Sequence, residues 1–220
     1  MAAKDFIEVE RQRVDCFRFL AVCFYPPERK ALIEEGVLEN LHRLLGEVCP
    51  EAAACSEGMA GALSQAAEVE LAVAHAKLFV GPFALRAPPY GSLYLESQNR
   101  LMGDTTMEVL KMYQMAGLAL SADFKDAPDH IAAELEFMYF LITKELHALR
   151  MDDRVDAIGY LKMQQEFHDK YLRPWMEPFV EMIRTGSEHE FYRLLAKSLS
   201  TFIMKTPVPR TLPGKIGAEA

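Results

Sequence analysis

Apolar residues recur at helical spacing along almost the whole chain, and no stretch of convincing length alternates apolar with polar residues. A chain patterned in this way buries its hydrophobic groups by packing helix against helix. The first stripe, Phe6, Val9, Cys16, Phe17, Leu20, Cys23 and Phe24, ends at Pro26-Pro27. Leu38, Leu41, Leu44, Leu45 and Val48 form the next, and the small residues from Cys49 to Gly58 read as an exposed loop. Met59, Leu63, Ala67, Leu71, Ala74 and Leu78 predict one long helix that stops at Gly81-Pro82.

Residues 81–103 break the pattern. Pro82, Pro88, Pro89, Gly91 and Gly103 are interleaved with Phe83, Leu85, Tyr90, Leu93, Tyr94 and Leu95, too many large apolar groups for an ordinary linker. Helix resumes near Asp104, where Thr105 and Glu108 have capping-box spacing, and stops at Gly117. After an interruption from Ser121 to Ala127, Pro128 opens a helix running to about Arg150, which puts Asp129 in its first turn. Further helices span Val155 to Tyr171 and Pro174 to Gly186, the latter carrying Trp175, Phe179 and Ile183. Ser187 and Glu190 suggest a capping box for the last helix, with Phe191, Leu194, Leu195, Leu199 and Phe202 as its stripe.

The expected architecture is all-α: a single-domain helical bundle of roughly ten helices over 1–205 with a long proline/aromatic loop, then a flexible tail over 206–220. With 220 residues, half of them apolar, one well-buried core is within reach.

The formal charge of −8 disfavours nucleic acid, and no run of basic residues offsets it. It suits a basic ligand or peptide, and equally plain solubility. Cys16, Cys23, Cys49 and Cys55 have no CxxC spacing, and charged residues interrupt every apolar stretch near the N-terminus. A cytoplasmic protein with reduced thiols is expected.

Catalytic patterns are thin. Glu39 and His42 alone have the ExxH spacing of a bundle di-metal site, whose second half is missing, and a solvated helix face accounts for both. His130 and Glu134, one turn apart, could chelate a metal, but spacing supplies no third ligand. GxSxG, HExxH, the glycine-rich phosphate loop and the dinucleotide fingerprint are absent. No catalytic residue, metal or cofactor is therefore assigned, and a binding protein is the expectation. Two segments stand out for it: the aromatic loop Pro88 to Glu96, and Asp126 to Met138, which joins carboxylates to the apolar stripe Ile131, Leu135, Met138 and Ile142 while Glu136 points off it.

Four stretches carry a family likeness: His75-Ala-Lys-Leu-Phe-Val-Gly-Pro82, Ala87-Pro-Pro-Tyr-Gly-Ser-Leu-Tyr-Leu-Glu96, Pro128-Asp-His-Ile-Ala-Ala-Glu-Leu-Glu-Phe-Met138 and Phe167-His-Asp-Lys-Tyr-Leu-Arg-Pro-Trp175. In kind and order they resemble the TorD/DmsD (NarJ-like) redox-enzyme maturation chaperones. The resemblance implies a non-enzymatic, all-α protein that binds the twin-arginine signal peptide and apo form of a molybdopterin-dependent oxidoreductase, delaying Tat export until the cofactor is inserted. It implies a peptide-binding set of Tyr90, Leu93, Tyr94, Glu96, Asp126, Asp129, His130, Glu134, Glu136 and Met138. Asp129 and Glu134 are expected to engage arginines while Tyr90, Leu93 and Tyr94 take the apolar segment. Some relatives have tryptophan where Tyr90 stands, which leaves the client open. The alternatives are a NarJ-like scaffold for the mature part of a redox-enzyme subunit, and an enzyme built on His130 and Glu134. A monomer, or a dimer exchanging helices about the 121–127 hinge, completes the expectation.

Overall fold

The computed structural model describes residues 3–82, 84–97, 101–121 and 124–214. Phe83, part of the 121–127 segment and residues 215–220 of the expected tail lie outside the described residues. Eleven α-helices occur among the described residues: α1 (Ala3–Val22), α2 (Val37–Val48), α3 (Pro50–Ser56), α4 (Met59–Gln65), α5 (Glu68–His75), α6 (Ser92–Leu95), α7 (Asp104–Met115), α8 (Ile131–Arg150), α9 (Arg154–Phe167), α10 (Met176–Gly186) and α11 (Glu190–Lys205). Extended pairing there is limited to one isolated bridge, between Tyr90 and His130. The expected all-α class is what the chain adopts.

The middle of the bundle is α8, packed between α1 and α9. Ile131, Leu135, Met138 and Ile142, its predicted stripe, are all fully enclosed. A second group of helices completes the core, with α11 against α3, α4 and α10, and α2 joining α1 to α3. Trp175, Phe179, Phe191, Phe202 and Phe17 fill the space between, the last two rings meeting edge to face at 5.0 Å. One ionic network is sealed inside. Arg13 donates to Glu10 and Gln164, and Gln164 donates to Glu145, tying α1 to α8 and α9. Burial first, then the charge of Glu10, pushes the Glu145 carboxyl up to about 7.

Several local expectations give way. Residues 50–56 form α3, with Cys49, Ala52, Ala53 and Cys55 buried, rather than an exposed loop. Pro50 at the first helical position starts it, and its alanines are strong helix formers small enough to let α11 approach closely. The long helix over 59–78 is three pieces, α4, α5 and a π-helical turn over Ala76–Val80. Extended backbone at Ala66 and Ala67 breaks it, and the Glu70 carboxylate accepts from the Ala67 N–H to start α5. Ala67 is consequently exposed and leaves the stripe.

Both predicted capping boxes are replaced. Glu108 turns to Lys170 and Tyr171, and Glu96 instead accepts from the Thr105 N–H at 2.7 Å, entering the space that a side chain at Gly103 would fill. Since a buried or half-buried helix start needs such an acceptor, Glu96→Ala is expected to cost about 1 kcal/mol. Urea unfolding checks this, and an unchanged midpoint would mean that water serves the α7 start equally well. At α11 the cap is His189, whose Nδ1 accepts from the Phe191 N–H, while the Ser187 hydroxyl turns to the His189 backbone. Gly117 ends α7 as expected, in the left-handed region at φ 78°.

The first part of the expected flexible tail is packed. Val208 is buried, Gln165 Nε2 donates to the Pro209 carbonyl, Arg210 pairs with Asp169, and Arg154 donates to the Pro213 carbonyl at 2.8 Å. Residues 206–214 thus form a strap along α9, because their backbone carbonyls find side-chain donors on that helix.

Candidate functional site

The aromatic loop and the start of α8 meet as two short extended runs. Ile131 N–H donates to the Pro89 carbonyl at 2.8 Å, and Gly91 N–H to the Asp129 carbonyl at 2.9 Å. Residues 128 and 129 form a turn, and α8 begins at Ile131 rather than at Pro128. His130 is its N-cap, with Nδ1 accepting from the Ala132 N–H at 3.2 Å. Asp129 therefore lies outside the helix whose first turn it was expected to occupy.

Its carboxylate reaches across to α6, where Oδ2 accepts from the Ser92 N–H at 2.7 Å. Glu134, one turn into α8, accepts from Trp175 Nε1 at 3.0 Å. Gly91 passes between them so closely that a Cβ there would lie 3.1 Å from Trp175 Nε1 and 3.2 Å from Glu134 Oε1. Tyr94 completes the knot, stacking on Trp175 with centroids 5.4 Å apart and donating to the Pro88 carbonyl at 2.8 Å. Burial, reinforced by the charge of Asp129, raises the Glu134 carboxyl well above the usual carboxylate range, so it takes up a proton readily.

Asp129 and Glu134 are 0% and 1% exposed. Their expected partners were arginines of a ligand. Their partners in the fold are a backbone amide and an indole, so both act as internal ties of the loop. Met138 is a core residue, Glu96 serves α7, and Tyr94 holds the loop from inside. His130 is buried beside Tyr90, their rings 5.5 Å apart, and burial lowers its imidazole to about 4 against the opposing pull of Asp126. It is neutral at pH 7, in keeping with an Nδ1 that accepts. No group of three potential metal-ligating side chains occurs among the described residues.

What remains at the surface is Asp126, Glu136, half-buried Tyr90 and half-buried Leu93. Tyr90 donates to Asp126 Oδ1 at 3.0 Å, and Tyr25 to Glu136 Oε1 at 2.9 Å. Both carboxylates act on the Tyr25 phenol, which places them around one edge of the molecule. Burial, then the charge of Asp126, pushes Tyr90 up to about 12, so its hydroxyl stays a donor. Partial burial also raises Glu136.

Beside Glu136 an open cleft of about 480 Å³ lies between the end of α1, the chain after α7, and α8. Val22, Leu118, Leu120, Phe124, Phe137 and Phe140 give it an apolar wall, and Arg18 lines it as well. Sequence reading missed both this cleft and Tyr25. An aromatic next to the proline pair that ends the first helix was the available signal for Tyr25. A carboxylate edge joined to an apolar cleft can take a ligand that is basic at one end and hydrophobic beyond it.

Comparison with known proteins gives a consistent picture. The model of the nitrate reductase delta subunit family matches residues 41–181. "Chaperone protein TorD" of Shewanella loihica is 29% identical over 161 residues, 70% of this chain and 70% of the relative. The "Tat proofreading chaperone DmsD" of Salmonella typhimurium is 25% identical over 130 residues, 59% of this chain and 57% of the relative. A "selenate reductase assembly chaperone protein" of Thauera selenatis is 38% identical over 91 residues, covering 40% of this chain and 46% of the relative. Alignment thus spans between about half and 70% of the length of these curated relatives. Among solved structures, one titled as a putative redox enzyme maturation protein from Archaeoglobus fulgidus superposes with a TM-score of 0.53 at 20% identity, covering 88% of this chain and 93% of that one. It supports the fold.

Proposed function

From the premise that the chain belongs to the nitrate reductase delta subunit family of TorD- and DmsD-like redox-enzyme maturation chaperones, we propose that it binds the twin-arginine signal peptide and apo form of a molybdopterin-dependent oxidoreductase in the cytoplasm. Holding the precursor delays export until the cofactor is in place, and the reading assigns this chain no catalytic step. The observation that carries the proposal is the junction of Glu136 with the apolar cleft, with Asp126 acting on the same Tyr25 phenol that Glu136 holds. Carboxylate oxygens match the fork of donors on arginine, and the cleft matches the apolar stretch that follows it. Asp129, Glu134, Trp175 and Tyr94 contribute by fixing the loop that carries Tyr90, without touching the peptide.

The test is calorimetric titration with a synthetic peptide bearing Arg-Arg before an apolar stretch. Glu136→Lys is expected to weaken binding at least about tenfold while costing no more stability than the lost Tyr25 hydrogen bond, about 1 kcal/mol, since a charge like that of the peptide replaces an attractive one. Equal affinity of the Arg-Arg peptide and an Ala-Ala version would sink the electrostatic half of the reading. A second reading, a scaffold for the mature part of a redox-enzyme subunit, draws on the match to the delta subunit family and on the Thauera relative named for assembly. It predicts binding of the apoenzyme that survives removal of the signal peptide.

A further inference from the structure

The apolar cleft does not end where the acidic edge would need it to. α1 and α8 pack side by side, and a second open cleft of about 610 Å³ follows the same seam toward the start of α1 and the end of α8. Tyr139 lines both clefts. Val22 of α1 and Ala133 of α8 share the first, Ile7 and Arg150 the second, so the helices run antiparallel and the groove has two defined ends. From Glu136 to Arg150 it extends for ~21 Å at the rise of an α-helix.

Its far end is basic. Arg11, Lys144 and Arg150 line it, all exposed, against a single acidic side chain, Asp15, on an apolar floor that includes Ile7 and Val14. Among the described residues no carboxylate pairs with the two cations of α8. Lys144 lies over the Phe140 ring at 5.3 Å, and Arg150 donates toward His147 Nδ1 at 3.4 Å. Arg11 makes a loose contact with exposed Glu8, at 3.9 Å. In a chain of formal charge −8, three cations beside two carboxylates, Asp15 and Glu8, make a local reversal of sign that the linear sequence conceals, because they come from two helices.

We infer that this basic end is a docking site for an acidic segment of the client that directly follows the apolar stretch of the bound peptide, which fixes the direction in which the peptide lies. Basic residues sit at Asp126 and Glu136, the apolar stretch fills the cleft, and acidic side chains reach Arg11, Lys144 and Arg150. A helical occupant gains further, because its N-terminal dipole end meets carboxylates and its C-terminal end meets cations. The opposite direction sets like charges against each other at both ends. The inference rests on the chaperone reading above and adds to it the chemistry of the client beyond the signal's apolar part.

Two synthetic peptides test it. Both carry Arg-Arg and an alanine/leucine stretch long enough to span the groove as a helix, and one ends in Asp-Glu-Asp where the other ends in Asn-Gln-Asn. Calorimetry on the full chain is expected to show the acidic-ended peptide binding about fivefold tighter, the gain shrinking as salt rises. In a Lys144→Glu/Arg150→Glu double variant the preference should vanish or reverse, while the neutral-ended peptide keeps its affinity. Circular dichroism confirms that the variant is folded, as substitution at two exposed positions leads one to expect. Equal affinities for the two peptides in the wild type, or a preference that survives the double variant, overturns the inference. If the neutral-ended peptide still binds in a Glu136-dependent way, the chaperone reading stands without it. Should neither peptide bind, both fall.

Discussion

Replacing Trp175 by alanine is expected to remove about 4 kcal/mol of folding stability and to release the aromatic loop. The indole is fully buried, stacks on Tyr94, contacts Phe179 at 4.9 Å between centroids, and gives Glu134 its hydrogen bond. Truncation leaves a large cavity and a buried carboxyl with no donor, two costs that add. Trp175→Phe separates them. It keeps most of the ring volume but removes the N–H, so it should cost about 2 kcal/mol, largely recovered when Glu134 is also changed to leucine. Denaturant unfolding of the three variants checks the cycle. A Trp175→Phe protein as stable as wild type would show that the indole–carboxyl bond does not hold the loop.

Acidification should weaken the fold between pH 6.5 and 4 through His130. Burial depresses its imidazole to about 4 in the folded protein, against an ordinary value of 6.5. Asp126 and Asp129 pull in the opposite direction, whereas His75 adds to the depression. A group whose folded value is depressed contributes stability that is complete above 6.5 and is lost as pH falls, since the unfolded chain takes up the proton first. Over this interval the loss amounts to about 2 to 3 kcal/mol. Glu145 works the other way. Raised to about 7, it gives stability that is complete below its ordinary value and fades as pH rises toward 7. Comparing His130→Asn with wild type isolates the first contribution, because asparagine can still cap α8 but does not titrate. If the variant's stability falls with pH as steeply as that of the wild type, His130 is not the sensor.

Fold class was legible because it depends on periodicity, which each helix carries within itself. The stripes on α1, α2, α8 and α11 proved to be buried faces, and glycine at 117 marked a real helix end. Residues 49–58 were misread because small residues suit a loop and a tightly packed helix equally, and only the arrival of α11 decides between them. The site was legible in outline and not in its division of labour. Asp129 finds Ser92 37 residues away, Glu134 finds Trp175 41 away, and Glu136 finds Tyr25 111 away. Spacing along the chain shows which carboxylates lie near the aromatic loop. It does not show which of them the loop encloses, and here enclosure separates the two internal ties from the two exposed candidates.

The packing of α11 on α3 and α4 has a consequence for synthesis. Residues 50–65 precede residues 190–205 by more than a hundred positions, yet the first set has its main partner in the second, down to the Ser198 hydroxyl donating to the Ala52 carbonyl at 3.0 Å. A nascent chain that has emerged through α10 still presents the alanine face of α3 to water, with nothing yet made to cover it. The fold therefore closes late, once α11 has left the ribosome. A translation product stopped short of residue 190 would be a bundle missing one helix, with the apolar surface that α11 covers left exposed, in need of the kind of protection this family gives to others.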